Sequence, residues 1–111
     1  MHRIHQRELP FRGMSRQFIA AENGGVGISS YLVEAPPGRG PVLHRHPYDK
    51  VAFVREGRGR WTVDGAEHEA GPGDILVIKA GEIHSFRSIG ELPLVPIDIH
   101  LSPRFEQENL E

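Results

Sequence analysis

Short runs rich in β-branched and aromatic residues recur along the chain, and glycine or proline interrupts them at near-regular intervals. The clearest runs cover residues 28–33, 50–55, 59–63, 75–78 and 94–101. No segment before Ser102 has apolar residues at a helical period. Many short strands at such spacing are typical of a sandwich or a barrel, so we expect an all-β fold.

One turn and the two chain ends complete this outline. Asp64-Gly65 stands between two β-type runs, and this dipeptide is a strong signal for a hairpin. Without a linker or a repeat, we expect one barrel domain over residues 13–102. Residues 1–12 are predicted to form an N-terminal arm or edge strand. Residues 103–111 are predicted to form a C-terminal tail or short helix.

Composition narrows the class of protein. The 111 residues include no cysteine, which excludes disulfides and thiolate sites and is compatible with a reducing compartment. With 13 basic and 15 acidic residues, the net charge of -2 gives no field that would attract nucleic acid or an anionic membrane. The first residues are polar and lack the apolar stretch of a signal peptide. We expect a soluble, cytoplasmic domain with no nucleic-acid or membrane partner.

Histidines carry the candidate chemistry. His44 and His46 stand two residues apart in an extended segment, so their side chains point to the same face. His84 follows the turn at residues 79–83, which would bring it back from a neighbouring strand. Imidazole nitrogen is the commonest protein ligand of transition metals. Three convergent histidines would leave coordination positions open, as catalytic metal sites do.

The spacing around these histidines resembles the two motifs of the cupin superfamily. The first motif matches Gly38, His44, His46, position 50 and Gly57, and the second matches Gly73, position 79, Gly81, His84 and position 88. The resemblance covers about residues 27 to 101 and is that of a small single-domain cupin. It implies a double-stranded jelly-roll β-barrel with a metal bound by His44, His46 and His84 inside one end.

Lys50 departs from that pattern, because the family's fourth ligand at this position is a glutamate. An ammonium repels a dication: at ~4 Å and an effective dielectric of about 20, the cost is roughly twice the ~4 kcal/mol of a single charge pair. Lys50 could swing out and leave a three-histidine centre. It could pair with Asp49 or Asp98 beside a bound anion, or occupy the space of the metal. Lys79 and Ser88 depart at structural positions and matter less.

Four further residues are candidates near the site. Asp49 could replace the missing carboxylate, although its strand parity is opposite to that of the histidines. Asp98 and His100 alternate with isoleucines and share one face. If that face lines the barrel, His100 is a fourth ligand or an acid/base group; a solvated pair on an outer face is the favoured interpretation. Tyr48 could hydrogen-bond a substrate.

The three histidines, Lys50 and the resemblance to cupins indicate two possible functions. The first is a metal-dependent enzyme of oxygenase, isomerase or decarboxylase type that binds a small organic acid, diketone or phenol through Fe, Mn, Zn, Ni or Cu. The catalytic candidates are Lys50, Tyr48 and His100. The second is a non-enzymatic module that binds or senses a small ligand, with Lys50 as an anion anchor. We also expect a homodimer, with Phe53 and Trp61 in the core or the interface.

Overall fold

The chain is built almost entirely from β-strands, as a computed structural model of all residues 1–111 shows. Two short 3-10 turns, Gln6–Glu8 and Ala20–Glu22, are its only helical elements, and neither approaches the length needed to cross a membrane. The strands are β1 (Phe11–Arg12), β2 (Ser15–Phe18), β3 (Ser29–Val33), β4 (His44–Arg45), β5 (Lys50–Glu56), β6 (Gly59–Val63), β7 (Ala66–Ala70), β8 (Ile75–Ile78), β9 (His84–Ser88), β10 (Val95–His100) and β11 (Glu108–Asn109).

These strands form two antiparallel sheets. One has the order β1-β2-β3-β10-β5-β8 and the other the order β11-β4-β9-β6-β7. Several neighbours in the sheets, such as β10 between β3 and β5, are distant in sequence, as in a jelly roll, and no ladder of hydrogen bonds joins the two sheets. The predicted all-β jelly-roll class is therefore confirmed.

Strand alternation decides which side chains enter the space between the sheets. Along β5, Lys50, Ala52 and Val54 are buried, while Val51 and Phe53 face outward. Along β10, Pro96, Asp98 and His100 are buried, and the residues between them are half-buried on the outer face. This two-residue period is the expected pleat of a half-buried sheet.

The interior divides into an apolar end and a polar end. Trp61, Phe86 and Leu94 belong to one buried apolar cluster, together with Val33, Ala35, Val54, Ala70 and Ile78. Gly59 is required there, since a Cβ at this position would lie 2.5 Å from Cζ3 of Trp61. Lys50 and His100, which pair across β5 and β10, begin the polar end. The fold therefore reserves one end of its interior for polar side chains.

The local predictions meet the structure at three places. The Asp64-Gly65 hairpin is confirmed between β6 and β7, with positive φ at both residues. In the N-terminal segment, β1 pairs only with β2 at the edge of the larger sheet. The C-terminal segment contains no helix; it begins with bends at residues 103 and 104, and β11 pairs with β4 beside His44.

Candidate metal centre

Three histidines converge at the polar end of the barrel. His44 on β4 pairs directly with His84 on β9, and His46 follows two residues after His44 on the same face. One ring nitrogen of each lies within 4.8 Å of the corresponding nitrogen of the other two. All three side chains are buried, at 4%, 3% and 1% exposure. The structure thus brings together the three predicted ligand residues.

Backbone carbonyls fix the orientation of each ring. The Nδ1 atom of every one of these histidines lies 2.7–2.8 Å from a carbonyl oxygen. A carbonyl only accepts hydrogen bonds, so Nδ1 carries the proton and Nε2 keeps its lone pair. The Nε2 atoms of His46 and His84 are buried without any partner. The pairs are His44 with Val42, His46 with Glu106, and His84 with Glu82.

The surroundings keep these rings neutral. Burial lowers the pKa of His44 below its usual value. Burial also lowers the pKa of His46 to about 4. For His84, burial and then the positive charge of Lys50 lower the pKa to about 3. A neutral imidazole is the form that binds a metal, so no proton has to be removed at neutral pH.

The donor set fits a divalent transition metal. Three convergent neutral imidazoles, two of which have a buried, unpartnered Nε2, suit a metal of the zinc, iron, manganese, nickel or copper type rather than a hard oxygen-binding ion such as calcium. Three protein ligands leave coordination positions for a water or a substrate.

Lys50 neither swings out to solvent nor stays unpaired. Its Nζ lies 3.3 Å from Oδ2 of Asp98, and the two side chains are only 3% and 5% exposed. Of the arrangements considered for Lys50, pairing with Asp98 is the one found, because a buried ammonium needs a counter-charge. Release to solvent is ruled out by its position on the inner face of β5.

The favoured expectation for Asp98 and His100 was wrong. They are not a solvated pair on an outer face, since both point into the barrel and are 4% and 2% exposed. β10 is a central strand between β3 and β5, and its outer face carries Ile97 and Ile99. The polar face of β10 therefore faces the polar end of the barrel interior.

His100 is oriented by Tyr48. The Tyr48 hydroxyl lies 2.8 Å from Nδ1 of His100 and accepts a hydrogen bond from the backbone N–H of Glu106 at 3.4 Å. Burial raises the pKa of Tyr48 to about 12, so its hydroxyl keeps a proton that it can donate to Nδ1. Burial and then Lys50 lower the pKa of His100 to about 2. With Nδ1 accepting this bond, the ring proton of neutral His100 is on Nε2; His100 lies outside the three-histidine group.

Asp49 does not replace the missing carboxylate ligand. Its carboxylate accepts hydrogen bonds from the backbone N–H of Ala80 at 2.8 Å and from Nζ of Lys79 at 3.0 Å, and these bonds lower its pKa. Asp49 joins two turns at the barrel rim. The opposite parity predicted for it relative to the histidines agrees with this position.

Three groups near the histidines were not predicted from the sequence. Tyr31 on β3 and Phe105 line a cavity of about 290 Å³ with His44, His46 and Lys50. The carbonyl of Glu106 is the partner of His46. The alternation of Ser29, Tyr31 and Val33 is a signal that could have placed Tyr31 inside. A backbone carbonyl leaves no trace in the sequence.

Comparison with known proteins identifies the fold family. Residues 31–100 match the family described as "Cupin domain", which is more than half of the chain. The matched segment contains the three histidines, Lys50 and Asp98.

Two curated relatives share the cupin portion. The chain is 33% identical over 79 residues to 1-methylthio-D-xylulose 5-phosphate methylsulfurylase of Rhodospirillum rubrum, covering 71% of this chain and 50% of that protein. It is 33% identical over 66 residues to the HTH-type transcriptional activator RhaS of Mannheimia succiniciproducens, covering 60% and 25%. The chain therefore spans between a quarter and half of the length of these relatives.

A solved structure gives the same result for the fold. Oxalate decarboxylase of Bacillus subtilis, in a study of its Mn(II) centres, superposes with a TM-score of 0.76 at 27% identity. The match covers 90% of this chain and 29% of that one. The similarity of fold therefore extends over most of this chain.

Proposed function

The chain belongs to the cupin family, and from its three-histidine group we propose that it is a metal-dependent enzyme acting on a small organic molecule. The observation that carries this proposal is the common orientation of the three rings. Each donates Nδ1–H to a carbonyl, which leaves its Nε2 lone pair free, and one ring nitrogen of each lies within 4.8 Å of those of the other two, beside a cavity of about 290 Å³.

The metal would supply Lewis-acid chemistry or a binding position for dioxygen. His44, His46 and His84 would hold it, and the cavity would hold a small organic acid, diketone or phenol. The reaction would be an oxygenation, isomerisation or decarboxylation. The oxalate decarboxylase with its Mn(II) centres and the methylsulfurylase of Rhodospirillum rubrum are both enzymes that contain this fold. Their activities are those of other proteins, but they support a catalytic role for this fold.

Three residues around the cavity would serve the reaction. His100 would donate its Nε2–H to a substrate atom, and Tyr48 would hold it in that tautomer. Lys50 would stand opposite the metal with its charge balanced by Asp98. None of these three would be a metal ligand in this proposal.

Metal analysis of the purified protein tests this function. The wild type is expected to hold about one transition-metal ion per chain after dialysis, and His44→Ala is expected to lose it. His68→Ala is the matched control, because His68 is exposed on β7, away from the cavity. Metal content at background in the wild type would contradict the proposal.

A second candidate is a ligand-binding module without catalysis. The observation that favours it is the cupin match to a transcriptional activator, combined with a fixed cation in the cavity. In this case Lys50 would anchor an anion without metal. Binding of a small carboxylate that is unchanged after chelation of all metal would favour this candidate.

We also propose that the protein is a homodimer formed through the outer face of its larger sheet. Phe53 lies between Ile75 and Ile97 across three strands, and Val51 lies between Val77 and Ile99. These six residues form an apolar face in which Phe53, Ile75 and Val77 are 39%, 58% and 63% exposed. A contiguous apolar face of this kind supports a two-fold interface that packs it on its own copy.

Trp61, the other residue predicted for the core or the interface, is buried in the core at 1% exposure. For the setting of the protein, we propose the cytoplasm, supported by the absence of cysteine. The partners would be a small molecule and a second copy, rather than nucleic acid or membrane; the net charge of -2 supports this.

A further inference from the structure

The wall of the cavity opposite the histidines carries a second set of polar groups. Lys50 on β5, Asp98 on β10 and Tyr31 on β3 project inward from neighbouring strands of the larger sheet. Asp98 and Tyr31 are direct cross-strand partners. All three line the cavity that also contains His44 and His46. We call Lys50, Asp98 and Tyr31 the polar wall.

The hydrogen-bonding capacity of the polar wall is only partly used. The ammonium of Lys50 has three N–H groups and makes one bond, to Oδ2 of Asp98 at 3.3 Å. Oδ1 of Asp98 and the hydroxyl oxygen of Tyr31 are both buried, and neither has a hydrogen-bond partner. Buried polar groups in folded proteins are almost always paired, so these atoms call for a ligand or water in the cavity.

Charge balance limits which ligand can provide those partners. Lys50 and Asp98 neutralise each other, and a histidine that binds a metal through Nε2 is a neutral imidazole. The uncompensated charge of the loaded site is therefore that of the metal. An anionic group of the ligand belongs at the metal, and a second anionic group at the polar wall would meet the free carboxylate oxygen of Asp98.

A hydroxyl group meets the requirements of the wall. It can accept a hydrogen bond from Lys50 and donate one to Oδ1 of Asp98 at the same time. Aromatic side chains border the space, since the Tyr31 ring lies 5.1 Å from that of Phe105, which is 5.9 Å from that of His46. A cavity of about 290 Å³ lies at the lower end of the range for small organic ligands.

We propose that the polar wall is a substrate-recognition subsite that selects a monocarboxylate bearing a hydroxyl group over the unsubstituted acid and over a dicarboxylate. The carboxylate binds at the metal, and the hydroxyl bridges Lys50 and Asp98. This inference rests on the proposed function, because it takes the metal at the three histidines as the anchor of the ligand.

Three benzene derivatives of matched shape test the subsite. Benzoate, 3-hydroxybenzoate and benzene-1,3-dicarboxylate are titrated calorimetrically into protein loaded with Co²⁺, whose visible absorption reports metal occupancy independently. The hydroxy acid is expected to bind about tenfold more tightly than benzoate, as for one charge-assisted hydrogen bond, and the dicarboxylate more weakly than the hydroxy acid.

Two variants assign the preference to the polar wall. Lys50→Met combined with Asp98→Leu replaces the buried pair by apolar side chains, a change that folded proteins often tolerate. It is expected to lose the preference for the hydroxyl, so that benzoate and 3-hydroxybenzoate bind with equal affinity. Ser88→Ala is the matched control, since Ser88 also has a buried, unpartnered hydroxyl but does not line the cavity. It should keep the preference.

A third variant covers the case in which the double variant does not fold. Asp98→Asn keeps the volume and removes the negative charge, so it should bind the dicarboxylate more tightly than the wild type. Loss of Co²⁺ binding in the wild type would overturn the proposed function and this inference with it. Co²⁺ binding without acid binding, equal affinity for benzoate and 3-hydroxybenzoate, or a preference for the dicarboxylate would overturn the inference alone.

Discussion

Nζ of Lys50 and Oδ2 of Asp98 form an ion pair of 3.3 Å inside the barrel, although the two residues are 48 positions apart. The lysine occupies the position where the cupin motif has a metal-binding glutamate. Asp98 balances its charge, so the cation can remain in the interior beside the three histidines. The departure from the motif therefore has its compensation on a neighbouring strand.

Breaking this pair on one side should destabilise the protein strongly. Lys50→Met leaves the carboxylate of Asp98 buried without a partner and is expected to lower the free energy of unfolding by about 3–5 kcal/mol. Combining it with Asp98→Leu should recover most of that loss. Denaturant unfolding of the metal-free variants measures both values. Equal stability of the single and double variants would mean that the two charges do not interact.

The hydrogen bond between Tyr48 and His100 should determine the tautomer of His100. In the wild type, His100 is expected to carry its proton on Nε2, and Tyr48→Phe should give a mixture of tautomers because Nδ1 loses its donor. Imidazole ¹⁵N chemical shifts distinguish the two forms. A wild-type His100 protonated on Nδ1 would free Nε2 and reopen its role as a fourth metal ligand.

The C-terminal segment should support metal binding through His46. Arg45 and Glu108 join β4 to β11 by two hydrogen bonds of 2.9 and 3.2 Å, and the carbonyl of Glu106 on this segment accepts Nδ1–H of His46. Glu108→Lys places like charges together and is expected to detach the segment. Metal affinity, measured by competition with a chelator, should fall by roughly tenfold, as for other lost partners of ligating histidines.

A charge swap controls this experiment. Arg45→Glu combined with Glu108→Lys restores an opposite-charge pair across the same two strands. It should recover metal affinity close to that of the wild type. Failure of the swap to recover affinity, with the fold intact by circular dichroism, would separate the segment from the metal site.

The apolar face of the larger sheet should decide the oligomeric state. Val77→Lys introduces a charge into the proposed interface, where Val77 is 63% exposed on the edge strand β8. The variant is expected to be a monomer in analytical ultracentrifugation at concentrations where the wild type is a dimer. Glu67→Lys on the exposed strand β7 should remain dimeric. A wild type that sediments as a monomer would refute the interface.

The local spacing of residues in the sequence was enough to predict the fold class and the three histidines of the candidate site. The glycines around His44, His46 and His84 are in register with the cupin motifs because turn and strand lengths are local properties. The direction of Asp98 and His100 was not accessible in this way. Alternation places them on one face, but only the packing of β10 between β3 and β5 decides that this face is the inner one. Their burial then follows from tertiary structure.

The arrangement that Lys50 adopts could likewise not be predicted from the local sequence pattern. Its partner Asp98 comes from β10, and the ladder between β5 and β10 sets their proximity. The support of His46 by Glu106 uses a backbone carbonyl, which every residue has. Phe53 and Trp61 are both aromatic, yet Phe53 faces outward and Trp61 fills the core. The reason is that even-numbered residues face inward on β5, whereas odd-numbered residues face inward on β6.

One metal ion is predicted to bind to His44, His46 and His84 through Nε2. The decisive measurement is anomalous difference density from a crystal loaded with Zn²⁺, collected on both sides of the zinc edge. We expect one peak per chain at about 2.0–2.1 Å from each of the three Nε2 atoms, with Lys50 still paired to Asp98. Loaded crystals with no peak at this point, or with the metal on other ligands, would contradict it.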